Sequence, residues 1–112
     1  MEYLADFFAG AFLCNCLPHL IAGLQGAPFP TPFAKPRGVG LSSALTNFYW
    51  SLFNLLVGAG LCAAFPVPAQ LSLATLAFAA GVVSLGSYLA VHFSAVRKAR
   101  NPFESAAKPW PE

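Results

Sequence analysis

The sequence predicts an all-α fold, an integral membrane bundle of three transmembrane helices with its N-terminus outside the cytoplasm and its C-terminus inside. Three observations carry that prediction. Hydrophobic residues make up 57% of the 112 positions and charged residues only 9%, against about 25% charged in an average soluble domain. The apolar residues gather into three runs, each with the ~18 to 20 residues needed to cross ~30 Å of hydrocarbon as a helix. All six Lys and Arg side chains fall where this orientation places them on the cytoplasmic side. The outer side carries only Glu2 and Asp6. A soluble chain of this size would expose a large apolar surface, whereas lipid solvates such a surface and demands helices that satisfy their own backbone groups.

The expected organisation is one membrane domain, 1–112, with helices at about 4–26, 43–65 and 69–97. A cytoplasmic loop spans 27–42 and a cytoplasmic tail 98–112. The start, Met1-Glu2-Tyr3-Leu4-Ala5-Asp6, lacks the basic n-region of a secretory signal, so the first run is expected to stay as a helix. Phe8, Phe12, Asn15, His19 and Gly23 share one face of it by helical spacing. Pro18, beside His19, removes one backbone N–H from that helix.

The loop opens with Ala27-Pro28-Phe29-Pro30-Thr31-Pro32-Phe33, where proline restricts itself and the residue before it, so the stretch reads as extended and stiff. Pro28, Phe29, Pro30, Pro32 and Phe33 form either a rigid interfacial connector or a lid over a pocket. Gly38-Val39-Gly40-Leu41-Ser42-Ser43 supplies flexibility and then a helix start, with Ser42 or Ser43 as N-cap. On the second helix Ser43, Asn47, Trp50, Asn54 and Gly58 form one stripe. Pro66-Val67-Pro68-Ala69-Gln70 ends it, and so short a connection predicts that helices two and three pack as antiparallel neighbours. On the third helix the predicted inward stripe is Ala77, Gly81, Ser84, Tyr88 and His92. The tail, with Trp110, reads as an extension and not as a domain.

At ~1.5 Å of rise per residue, the polar side chains fall at two depths. His19, Asn47 and His92 form one level near the cytoplasmic side; Asn15, Asn54, Tyr88 and Ser84 form a deeper one. Such groups face the protein interior in hydrocarbon. One reading makes them interhelical adhesive, contributing about 0.6 kcal/mol per bond on average. The other makes His19, Asn15, Asn47, Trp50, Asn54, Tyr88 and His92 the lining of a ligand-binding pocket open to the cytoplasmic side. Its candidate occupants are a small anion, a quinone head or a lipid head, and it can also relay protons. The cofactor is unknown; two histidines at one depth permit axial haem ligation, but no further motif supports haem or another metal.

Cys14, Cys16 and Cys62 read as small apolar packing residues, since the first two point roughly 200° apart on a helix. No serine–histidine–acid set, phosphate loop or paired carboxylate appears, which argues against an enzyme. The net charge of +2, with no basic groove, argues against nucleic acid. The expected partners are the lipid bilayer and either further copies of the chain, as a homo-oligomer, or a partner membrane subunit. Three helices with no internal repeat do not by themselves build a transporter. The function classes left open are an oligomeric binding or transport-type protein, an accessory subunit of a larger membrane complex, and a redox subunit contacting haem or quinone.

Asn15-Cys16-Leu17-Pro18-His19, followed by Pro28-Phe29-Pro30-Thr31-Pro32-Phe33 and Gly40-Leu41-Ser42-Ser43, resembles a group of small bacterial integral membrane proteins with no assigned activity. The resemblance covers about 15–54. It implies a bacterial inner membrane and one functional unit made of His19 and the proline-rich loop, and it implies no chemistry.

Overall fold

The computed structural model describes residues 2–100. The tail from 101 onward, expected as a cytoplasmic extension, lies outside the described residues. Three helices account for most of the chain: α1 (Glu2–Leu24), α2 (Ala44–Ala64) and α3 (Leu73–Arg100). Each is long and apolar enough to cross a membrane. Their lengths of 23, 21 and 28 residues correspond to ~34, ~31 and ~42 Å at 1.5 Å per residue. The loop is more ordered than its glycines imply. Phe29–Pro30 (β1) and Leu41–Ser42 (β2) pair antiparallel, Phe29 opposite Ser42 and Pro30 opposite Leu41. This two-residue ladder closes the loop at its base.

The helix starts follow from side-chain caps. Ser43 is the N-cap of α2, its hydroxyl accepting from the Thr46 backbone N–H at 3.1 Å. Ser72 does the same for Thr75 at 3.1 Å, so α3 begins at Leu73 and not near 69. The α2–α3 connection is therefore longer than its two prolines imply, and the expected packing of α2 against α3 is not found. Instead α1 is the central helix, packing against both neighbours, while α2 and α3 barely touch.

Glycines explain why α1 holds that place. A Cβ at Gly81 would collide with the Phe7 carbonyl oxygen, and one at Gly10 with the Phe78 carbonyl oxygen. Small residues at these two points let the α1 and α3 backbones meet. On the other side, a Cβ at Gly23 would lie 2.9 Å from the Phe48 nitrogen, and one at Gly58 2.6 Å from Leu13. α1 thus needs a glycine or a glycine partner on both faces, which α2 and α3 do not need toward each other.

The buried set is unusual in chemistry. The largest fully buried side chains are Asn47, Asn54, Thr31, Asp6 and Ser51, while Leu56, Val83 and Val91 are more than 60% exposed. In water this would be an inverted core; it is the arrangement expected of helices whose surroundings are apolar. Cys14, Cys16 and Cys62 are free thiols.

Candidate functional site

Because α2 and α3 stand apart over α1, a cleft of about 370 Å³ opens between them. Phe8, Phe12, Asn15 and His19 come from α1, Trp50 and Asn54 from α2, and Leu85, Tyr88, Leu89, His92 and Phe93 from α3. Pro30, Thr31, Pro32 and Gly38 of the loop close one end. Phe8 and Tyr88 are 45% and 60% exposed, so the cleft opens sideways between the helices as well as facing the loop.

The polar groups in and behind it form two chains of fixed direction. Asn47, with 0% exposure, donates through Nδ2 to the carbonyls of Phe29 (2.9 Å), Ser42 (3.3 Å) and Ser43 (3.0 Å). Three carbonyls can only accept, so the amide orientation is determined and Oδ1 faces the ring of His19. The 2.7 Å contact between His19 Nδ1 and Asn47 Oδ1 is then donated by His19. In the neutral ring this leaves Nε2 as a bare acceptor.

The second chain runs deeper. Asn54 Nδ2 donates to the Trp50 carbonyl at 2.8 Å, and Asn15 Nδ2 donates to Asn54 Oδ1 at 2.9 Å. Asn15 Oδ1 is left without a protein partner among the described residues. The only buried side-chain nitrogens and oxygens sealed away without a partner among those residues are Asp6 Oδ1 and Trp50 Nε1. His19 Nε2 and Asn15 Oδ1 therefore reach open space, and the space they line is the cleft. Both are acceptors.

His92 is held differently. Its Nε2 donates to the Gly38 carbonyl at 2.7 Å, and its ring stacks on Tyr88 with centroids 5.7 Å apart and planes 7° from parallel. Gly38 presents that carbonyl from a φ of +69°, where a side chain is strained. The imidazole of His92 is thus tied to the loop directly, and that of His19 through Asn47 of α2. A haem ligated through both Nε2 atoms would have to displace the Gly38 carbonyl, so this arrangement does not fit the expected haem alternative.

Of the residues singled out from the sequence, Asn15, His19, Trp50, Asn54, Tyr88 and His92 line one cleft, joined by Pro30 and Pro32. Asn47 does not line it; it sits behind His19 and orients it. Phe29 lies between His19 and Phe93, at centroid distances of 5.5 and 4.7 Å. Phe33 is 64% exposed yet meets the Trp50 ring edge-on at 5.1 Å. Pro28 lies on a separate groove between α1 and α3. Ser84, expected inside, is exposed. It sits ~60° to one side of Gly81, whereas Phe78, Val82, Leu85 and Leu89 lie ~40 to 100° to the other, toward α1.

Sequence reasoning missed Thr31, Gly38, Leu85, Leu89 and Phe93. Thr31 is 1% exposed; its hydroxyl meets Ser42 Oγ at 2.6 Å and accepts from the Phe33 N–H at 3.2 Å. A threonine between two prolines is a turn signal that could have found it. Asp6, assigned only to the outer side, is 2% exposed and lies against the α2–α3 connector with Glu2 and Tyr3.

The described residues hold no group of three or more His, Cys, Asp or Glu side chains placed for a metal ion. Comparison with protein-family profiles, with characterised proteins and with solved structures returns no match.

Proposed function

We propose that this chain is a three-span membrane protein, N-terminus outside and C-terminus in the cytoplasm, that binds a small apolar molecule carrying a hydroxyl or N–H donor. The observation that carries this reading is the pair of unpaired acceptors, His19 Nε2 and Asn15 Oδ1, in an aromatic-walled cleft that opens sideways. A hydrogen bond to such an acceptor contributes about 0.5 to 1.5 kcal/mol net, so an occupant that donates to them is favoured over one that only accepts. No Lys or Arg lines the cleft, which argues against the small anion among the earlier candidates. A phenol, a quinol or a hydroxylated lipid tail has the matching chemistry, and all three dissolve in the bilayer from which the cleft is reached.

Orientation is supported by the meeting of the basic segments. Lys35 and Arg37 lie in the loop, Arg97, Lys98 and Arg100 end α3, and Arg100 donates to the Val39 carbonyl at 2.6 Å. Both basic groups are thus at one end of the bundle, as the positive-inside rule requires. Single cysteines at Lys35→Cys and Val67→Cys, in a background lacking Cys14, Cys16 and Cys62, test it with an impermeant thiol reagent. Position 67 should label from outside and position 35 only from the cytoplasmic face; the reverse pattern removes the orientation.

Ligand chemistry is tested with 4-octylphenol and its methyl ether, which differ by one donor. In nanodiscs, with Trp110→Phe so that only Trp50 reports, the phenol should bind roughly tenfold tighter than the ether. His19→Phe should erase most of that difference. Equal affinity of phenol and ether for the His19 protein contradicts the reading.

A further inference from the structure

A second cavity, of about 490 Å³, lies on the other side of α3 from the ligand cleft. Cys14, Leu17 and Pro18 of α1 form one wall and Gly86, Leu89, Ala90 and Phe93 of α3 the other. It runs along ~21 Å of α3, from Gly86 to Arg100. Pro28, Phe29, Pro30 and Leu41 of the loop cover its basic end, where Arg97 and Arg100 complete the lining. The groove is therefore apolar along the helices and cationic at one end.

Among the described residues those two guanidiniums have no carboxylate partner. The carboxylates among the described residues are Glu2 and Asp6, at the opposite end of the bundle. Arg100 uses one N–H on the Val39 carbonyl; a guanidinium has five donors, and Arg97 spends none on a described residue. Two cations with no carboxylate beside them among the described residues, at the mouth of an apolar slot, match a molecule with an anionic head and a hydrocarbon tail. A zwitterionic head would bring its own cation beside the arginines and offset part of the attraction.

We propose that the α1–α3 groove is a binding site for one anionic phospholipid, its phosphate on Arg97 and Arg100 and an acyl chain along Gly86, Leu89 and Ala90. The proposal rests on the membrane-spanning reading and not on the ligand proposed for the other cleft. A close glycine makes the slot possible. A Cβ at Gly86 would stand 3.5 Å from Cys14 Sγ, so alanine is tolerated there and a larger side chain occupies the slot.

The test uses the purified full-length protein in a neutral detergent, with dioleoylphosphatidylglycerol or dioleoylphosphatidylcholine added and bound lipid counted by native mass spectrometry. The protein should retain one phosphatidylglycerol in preference to phosphatidylcholine. With about 1 kcal/mol per basic residue near an anionic surface, Arg97→Gln/Arg100→Gln should weaken phosphatidylglycerol about thirtyfold. Arg97→Lys/Arg100→Lys should keep the preference, which separates charge from any structural role of the arginines. Gly86→Phe, whose fold is checked by helix content, should lose the bound lipid with both arginines in place. Equal retention of the two lipids, an unchanged Gln variant, or displacement by excess inorganic phosphate each overturns the proposal; the last would mean that the site reads free phosphate.

Discussion

Asn47→Leu attacks the point where loop, α2 and α1 are tied together. The side chain of Asn47 accepts from His19 through Oδ1 and shares its two Nδ2 hydrogens among three backbone carbonyls. The Ser43 carbonyl keeps the helical bond from the Asn47 backbone N–H at 3.0 Å, and so is not orphaned. The Phe29 and Ser42 carbonyls likewise keep their bonds in the β1–β2 ladder, so the group left unpaired is the His19 Nδ1–H. At about 1 to 3 kcal/mol for a buried group left unpaired, the expected loss is about 1 to 3 kcal/mol. The assay is the midpoint of SDS-induced unfolding in mixed micelles, followed by helix content. Hydrogen exchange gives the location: amides of 29–42 should exchange faster, because the loop loses its anchor, while the middle of α1 stays protected. A change below about 0.5 kcal/mol, or faster exchange spread evenly over all three helices, would refute the reasoning.

Other substitutions test separate joints. Gly38→Ala should cost about 1 to 2 kcal/mol, since the residue holds a φ of +69° that an L side chain resists; the same midpoint measures it. It should also loosen His92, whose Nε2 is held by the Gly38 carbonyl. Gly81→Leu should destabilise by more than the ~1 to 3 kcal/mol usual for overpacking, because the new side chain meets the rigid Phe7 carbonyl and no flexible group. Gly60→Leu is its control: a Cβ there meets nothing within 4 Å, and its midpoint should stay close to that of the unaltered protein.

The three helices were legible because apolar run length is a strong signal. So was half of the polar network: a period of 3.6 places Asn47 and Asn54 on one face of α2, and Asn15 and His19 on one face of α1. What the period cannot give is the neighbour. A stripe drawn through Gly81 fits Ser84 as well as Leu85, and only the position of α1 decides between them. The α2–α3 pairing failed for a related reason. Two prolines marked the end of α2, but the Ser72 cap starts α3 four residues later than about 69 and lengthens the connection. The role of Asn47 as an orienting group behind His19, not a lining residue, depends on three loop carbonyls converging on one amide. That convergence is tertiary, and no spacing in the sequence encodes it.

The central claim is that His19 turns a bare Nε2 acceptor into the cleft because Asn47 holds its Nδ1–H. The direct measurement is the ¹⁵N chemical shifts of the His19 ring in the membrane-reconstituted protein, at a pH where the ring is neutral. The account predicts a protonated Nδ1 and an unprotonated Nε2, with the Nε2 resonance moving when 4-octylphenol is added and not when the methyl ether is. A ring protonated at Nε2, or an Nε2 resonance indifferent to the phenol, would contradict it.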